Sequence, residues 1–269
     1  MDKTDKIGKY ETIPYTKQRK DIEIVTKEGW RRKSINAMLE IDVTVARKKI
    51  KEIKEKTGEK ISFTSWVIKC ISESMTNHKT LNSYKLGRNK IVVFDDVDVA
   101  VPVEKESKEE TRPRIYIVRK ANEKTVSDIT EEIRTVQKEN VSDETQVLGR
   151  NLTRFERIAL KAPLFLKKLL VFFIRKKGLF KKKHMGTTAV TAVGMKGKYK
   201  GALIPLGGTA TTLFVVGGIT KKPRVVDDKI VPREILYLTV SADHDLVDGG
   251  PLARFIDTLT RLMEKGYGL

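Results

Sequence analysis

The spacing of apolar residues along the chain predicts four well-marked helices and a larger set of short strands. Val45, Ile50 and Ile53 share a helical face, with Thr44 as the expected N-cap and Gly58 as the terminator. Over 63–76, Phe63, Trp66, Val67, Cys70, Ile71 and Met75 fall on one side of a second helix. Val126, Ile129, Ile133 and Val136 form the spine of a third, over 126–139. The last, 251–265, carries Leu252, Phe255, Ile256, Leu259, Leu262 and Met263 on one stripe, with Pro251 at its start. Strands are expected at 40–44, at 89–103 (two, around an acidic turn), at 114–119, across 186–220 (strand, turn, strand) and at 235–241. Residues 1–40 are polar and basic with little periodicity, and 104–112 is a charge run expected to be a solvated loop.

The pattern changes over 153–183. Leu152, Phe155, Ile158 and Ala159 begin a helical repeat, and Pro163 suits the first turn of another helix. The segment APLFLKKLLVFFI (162–174) is strongly apolar, and RKKGLFKKKH follows it. Thirteen residues interrupted by two lysines are too short to cross a bilayer. The plainer expectation is a helix packed on its own domain or on a neighbouring subunit, with a solvated lysine edge; the second is contact with an anionic membrane surface. There is no internal repeat and no regular βαβ alternation. The elements together predict one layered α+β domain spanning 1–269.

Composition narrows the chemistry. A chain of 269 residues, 39% hydrophobic, can bury a sizeable core without staples. The single cysteine, Cys70, excludes an intramolecular disulfide, a CxxC pair and a cysteine zinc cluster, and its apolar face marks it as core filler. Three histidines, His78, His184 and His244, leave few places for imidazole chemistry, and no metal site is expected. The charged start carries no secretory signal and no 18-residue uncharged apolar run exists, so a cytoplasmic location is expected. Lys and Arg outnumber Asp and Glu by 54 to 35. The excess is spread along the chain without a zinc finger, helix-turn-helix or RNA-binding aromatic signature, so a nucleic-acid partner is not expected.

The informative segment is SADHDLVDGGP (241–251). His244 follows a strong strand, and Asp248 and Gly249 come four and five residues later, just before a helix. Free imidazole titrates near about 6.5. It can therefore take a proton from a thiol or hydroxyl attacking a carbonyl, whose oxygen then needs a hydrogen-bond donor. A purely structural role, with His244 satisfying backbone groups and Asp248 capping the helix, stands beside that reading.

SADHDLVDGGPLARFIDTL resembles the active-site segment of the dihydrolipoamide acyltransferase catalytic core of the 2-oxoacid dehydrogenase complexes, and its His-x-x-x-Asp-Gly string is shared with chloramphenicol acetyltransferases. Further segments resemble the family in the same order: Arg19-Lys20, Asp42-Val43-Thr44, SFTSWVIKCISESM, Leu81-Asn82, DVDVAVPV, GTTAVTAVGMKG and TLFVVGGI. The resemblance implies a chloramphenicol-acetyltransferase-like mixed sheet flanked by helices. It also implies His244 as the base, Thr191 in place of the usual oxyanion-stabilising serine, and Asp248 as a structural acid paired with an arginine, for which Arg19 is the candidate. Acyl-coenzyme A is the implied co-substrate, with Lys196, Lys198 and Lys221 as candidates for its phosphates. One lobe makes half a tunnel, so a homotrimer with His244 facing a neighbour is implied, with further assembly into a cage left open.

Two further positions depart from the family, as does the basic helical stretch at 153–183. Asp245 stands where an arginine is usual, and Ala192 follows Thr191 where Asn or Ser is usual. No lipoyl or subunit-binding segment is recognised, so any lipoate would come from a lipoyl-bearing protein in trans. A catalytically idle oligomeric core of the same fold is the competing reading.

Overall fold

The computed structural model describes residues 7–104, 114–138, 154–194, 197, 199–206 and 208–269. Lys196 and Lys198, Leu152, and the charge run from 105 onward lie outside the described residues.

The first helix, α1 (Lys17–Trp30), is capped by Thr16, whose Oγ1 accepts from the Arg19 N–H at 3.3 Å. Its apolar residues Ile22, Val25 and Trp30 are exposed and Ile24 alone is buried, which is why 1–40 carries so weak a periodic signal. Strand β1 (Ser34–Asp42) follows, longer than the predicted 40–44. Helix α2 (Thr44–Thr57) ends at Gly58 in the left-handed region (φ 74°), as expected. Its start differs from expectation: Thr44 is the first helical residue, and the Asp42 carboxylate accepts from the Thr44 N–H at 2.9 Å and its hydroxyl at 2.6 Å. Helix α3 (Phe63–Asn77) is the central buried helix, with Trp66, Val67, Ile68, Cys70 and Ile71 fully buried. Cys70 is core filler, and burial pushes its thiol upward.

Strands β2 (Ser83–Leu86) and β3 (Lys90–Val93) form a small separate hairpin, so the two strands expected at 89–103 belong to different sheets. Strands β4 (Val99–Val103) and β5 (Arg114–Val118) precede α4 (Val126–Lys138). Three short helices follow, α5 (Arg154–Lys161), α6 (Leu164–Ile174) and α7 (Gly178–Met185). Then come β6 (Thr188–Ala192), β7 (Thr212–Val226), β8 (Lys229–Asp243) and α8 (Gly249–Glu264).

Six strands make one mixed sheet in the order β1-β8-β7-β6-β4-β5, with β7–β6 and β6–β4 parallel and the other pairs antiparallel. Alternation sorts its residues. Ile41, Val190, Phe214, Val216, Leu236, Leu238 and Val240 point into the core built with α2, α3, α4 and α8. Thr191, Val215, Thr239 and Met38 stand opposite one another along the register and therefore share the other face. Near a register shift between Val216 and Ile219, the backbone packs without side chains: a Cβ on Gly194 would lie 1.8 Å from the Gly217 carbonyl oxygen, and one on Gly218 would lie 2.4 Å from that of Tyr199.

Helix α6 reverses the expected packing. Lys167 faces inward, 9% exposed, and its Nζ meets Asp21 of α1 at 2.7 Å, while Phe165, Leu166, Leu169, Phe172 and Phe173 are exposed.

Candidate active site

His244 sits one residue beyond β8, and its position is fixed from the backbone outward. Its N–H donates to the Lys33 carbonyl at 2.8 Å. Asp243 is held by the Thr211 carbonyl through its N–H (3.0 Å), while its side chain accepts from the Asp245 N–H (3.2 Å). The chain then turns: Leu246 and Val247 both donate to the Asp243 carbonyl, and Val247 is buried as a plug in the core. Asp248 ends the turn as the N-cap position of α8, its carbonyl accepting from Leu252 at 3.1 Å.

The anchor of this turn is Arg32, which the sequence pattern does not single out. Its guanidinium donates to the Ala210 carbonyl at 2.6 Å and the Thr209 carbonyl at 2.7 Å, and lies 3.3 Å from the Asp243 carboxylate. A planar fork reaching two carbonyls and a carboxylate is the geometry that arginine alone provides. The ion pair is largely buried, with the two side chains 14% and 12% exposed. Lys181 of α7 belongs to the same cluster. Its side chain is buried over the Tyr84 ring, with Nζ 4.1 Å from the centroid. Burial lowers its pKa to about 8, and the neighbouring Arg32 charge adds to the shift, partly offset by Asp243 and Glu28. Tyr84 is itself fully buried and donates to the Gly186 carbonyl at 2.7 Å.

Thr191 is set by β6, whose start hangs on Asp98. The Asp98 carbonyl accepts from Thr187 at 3.1 Å and Thr188 at 3.3 Å. Its carboxylate meets Arg119 at 2.8 Å, Lys182 at 3.0 Å and the Lys120 N–H at 3.0 Å. Burial alone would raise that carboxyl, but these donors hold it below the usual range. The threonines at the start of β6 and β7 are engaged: Thr187 with Asn82, Thr188 with Thr212, and Thr211 with the Ser83 carbonyl. The Thr191 hydroxyl, half-buried, has no hydrogen-bond partner among the described residues. Two strands away on the same face, the Thr239 hydroxyl is buried and also unpaired.

Within one protomer Thr191 and His244 are not brought together. The register sets Thr191 opposite Val215 and Val215 opposite Thr239, with His244 five residues further along the chain. That is about 16 Å along the strand and about 9.5 Å across it, roughly 19 Å in all. The imidazole is 48% exposed, and the carboxylate of Asp248, 85% exposed, lies 3.8 Å from it (Nδ1 to Oδ1). Arg19 is not brought to Asp248; it lies exposed on α1, lining a cleft with Ile13, Tyr15 and Ile22. Lys221 is exposed on β7, in register with Glu234. His78 bonds Thr258 at 3.0 Å and His184 stacks on Phe180 at 4.2 Å, so both belong to packing away from this site. A Cβ on Gly249 or Gly250 would meet nothing nearer than 3.9 Å and 3.7 Å, respectively. Their own protomer does not require glycine at either position. Among the described residues no group of His, Cys, Asp or Glu is placed to hold a metal.

A mixed sheet of this order, helices on its core face and a histidine at the strand end before α8, defines the chloramphenicol-acetyltransferase-like class of α+β acyltransferase fold. The sequence matches the family described as 2-oxoacid dehydrogenases acyltransferase (catalytic domain) over residues 8–147 and 175–268, and the chain belongs to that family. Among curated proteins it is 23% identical over 232 residues to the lipoamide acyltransferase component of the branched-chain alpha-keto acid dehydrogenase complex of Bacillus subtilis, covering 84% of this chain and 46% of that protein. It is 22% identical over 225 residues to the dihydrolipoyllysine-residue succinyltransferase component of the 2-oxoglutarate dehydrogenase complex of Buchnera aphidicola, covering 81% and 46%. The chain thus spans about half the length of these relatives. Its fold is shared with Azotobacter vinelandii dihydrolipoamide acetyltransferase at a TM-score of 0.70 and 17% identity, covering 98% of this chain and 95% of that one. It is shared with a chloramphenicol acetyltransferase at 0.50 and 11%, covering 88% and 94%.

Proposed function

We propose that the protein moves an acyl group between coenzyme A and a thiol acceptor, at a site completed by two protomers of a homotrimer. The observation that carries this reading is the hydroxyl of Thr191, unbonded while the threonines at the start of β6 and β7 are engaged, and roughly 19 Å from His244 in its own chain. A hydroxyl and an imidazole so far apart serve one carbonyl when they come from different copies. The mechanistic study of the Azotobacter vinelandii enzyme concerns a serine, a histidine and an asparagine, the last two four positions apart. His244 and Asp248 keep that four-position spacing here, with a hydroxyl retained at Thr191 and an acid in place of the amide.

The residues fit such a substrate. Acyl-coenzyme A supplies a thioester, whose acyl carbon is already activated. His244, its ring half open to solvent and its backbone locked, takes the proton from the attacking sulfhydryl and returns it to the departing thiolate. Thr191 donates its hydroxyl hydrogen to the carbonyl oxygen as that oxygen gains negative charge. No protein nucleophile is needed, in keeping with the inert, buried Cys70. Exposed Lys221 is the described candidate for the phosphate end. Solved relatives of this fold include the cubic core of the pyruvate dehydrogenase multienzyme complex. We propose likewise that this chain assembles, in the cytoplasm, and exchanges acyl groups with a lipoyl-bearing protein.

The test is transfer from acetyl-, propionyl- and succinyl-coenzyme A to dihydrolipoamide. His244→Ala should lose about 10²–10⁴-fold in rate, with assembly intact by sedimentation. Full activity in that variant overturns the assignment. Turnover of none of the three by the unaltered protein would favour the idle core.

A further inference from the structure

We propose that α6 docks this protein on an anionic lipid bilayer, lying in the plane of its interface. Helix α6 is built inside out. Phe165, Leu166, Leu169, Phe172 and Phe173 recur at i, i+1, i+4, i+7 and i+8, which makes one stripe on a helix. That stripe faces away from the protein, with exposures between 42% and 71%. One lysine of the helix and the arginine just past it face the other way. Lys167 is paired with Asp21 at 2.7 Å, and just past the helix Arg175 is paired with Glu28 at 2.8 Å, both partners on α1. The ion pairs that seat α6 therefore fix its apolar face outward.

Charge complementarity selects the occupant. Residues 154–183 hold eleven Lys or Arg against one acid, Glu156, which is more than half of the surplus of 19 carried by the whole chain. Lys168, Lys176, Lys177 and Lys183 are exposed around the apolar stripe. Phenylalanine and leucine rimmed by lysine suit the boundary between acyl chains and anionic headgroups. A nucleic acid would use the lysines and leave the stripe in water. A second copy is a poorer fit, since five half-exposed side chains offer on the order of 500 Å², below the about 800 Å² a side of a stable dimer. The helix cannot cross the bilayer: eleven residues reach about 16 Å against a core of about 30 Å. Among the described residues no helix is long and apolar enough to cross one. The family's matched segments end at residue 147 and resume at 175, so α6 falls in the gap between them.

The experiment is co-sedimentation of the full chain with vesicles of phosphatidylcholine alone or mixed with phosphatidylserine. Binding should require the anionic lipid and fall steeply with added salt. The doubly substituted Phe172→Asp, Phe173→Asp protein should partition at least about tenfold more weakly, and Lys176→Glu with Lys177→Glu should also weaken binding. Both positions in the first pair are exposed, so circular dichroism and acyl transfer should match the unaltered protein. Three results overturn the proposal: no binding to anionic vesicles at low salt, equal binding by the aspartate variant, or a smaller oligomer in that variant, which would make the stripe an interface between copies.

Discussion

Two inactive variants should restore each other. His244→Ala removes the proposed base and leaves Thr191; Thr191→Ala removes the proposed oxyanion donor and leaves His244. Each alone should retain little activity, given factors of about 10²–10⁴ for a general base and about 10²–10³ for one oxyanion donor. The register separates the two side chains by roughly 19 Å within a chain, so the proposed site takes its histidine from one protomer and its hydroxyl from the next. In trimers assembled at random from equal amounts, a site is intact when the histidine donor is the Thr191→Ala chain and its neighbour is the His244→Ala chain. That occurs at about one site in four. Co-expression with two affinity tags, purification through both and acetyl transfer to dihydrolipoamide give the measurement. Purification through both tags removes the uniform trimers and raises the intact fraction to about one third. A hybrid no more active than either parent would refute the argument, because a site contained in one chain gains nothing from mixing.

Lys181 sets a pH dependence of stability. Its folded pKa, about 8, lies below the 10.5 of an exposed lysine, so between these values the unfolded chain binds more protons and stability rises with pH. Relative to Lys181→Met, the unaltered protein should gain on the order of 3 kcal/mol across that window in chemical denaturation, and parallel curves would remove the claim. Arg32→Ala leaves the Asp243 carboxylate and two carbonyls without their donor, and should cost about 3–5 kcal/mol. Arg32→Lys should recover part of that stability while activity stays low, since one ammonium cannot replace the fork; equal recovery of both would show a merely structural arginine. Gly194→Ala forces a methyl into the Gly217 carbonyl and should lower the melting temperature, with a loss of at least about 1–3 kcal/mol.

Helices whose apolar faces meet the core were legible in sequence: the stripes through Trp66 and Cys70, Val126 and Ile129, and Phe255 and Leu259 all end up buried. The turn from His244 to Asp248 was legible because strand, histidine and helix start are consecutive. Helix α1 was not, because periodicity reports buried apolar side chains and, among its described residues, α1 buries only that of Ile24. Helix α6 was read as a helix, but hydrophobicity cannot reveal that its lysine, through Asp21, takes the inner side. The Arg32–Asp243 latch joins residues more than two hundred positions apart and leaves no local trace. For the same reason Arg19 looked the better partner for Asp248 than it is in the protomer.

That latch also ranks the steps by which the chain acquires its shape. Strands β7 and β8 meet across a two-residue turn, Asp227-Asp228, both at positive φ, and can pair as soon as both exist. Strand β1 must arrive from the far end of the chain to lie on β8, and such distant closures come late. Lys33 and Arg32 arrive with it, so the imidazole acquires its tether at the close of folding rather than the start. A truncated or half-docked amino terminus would leave the sheet standing and the histidine adrift, and competence for chemistry becomes a report on whether the whole polypeptide has closed.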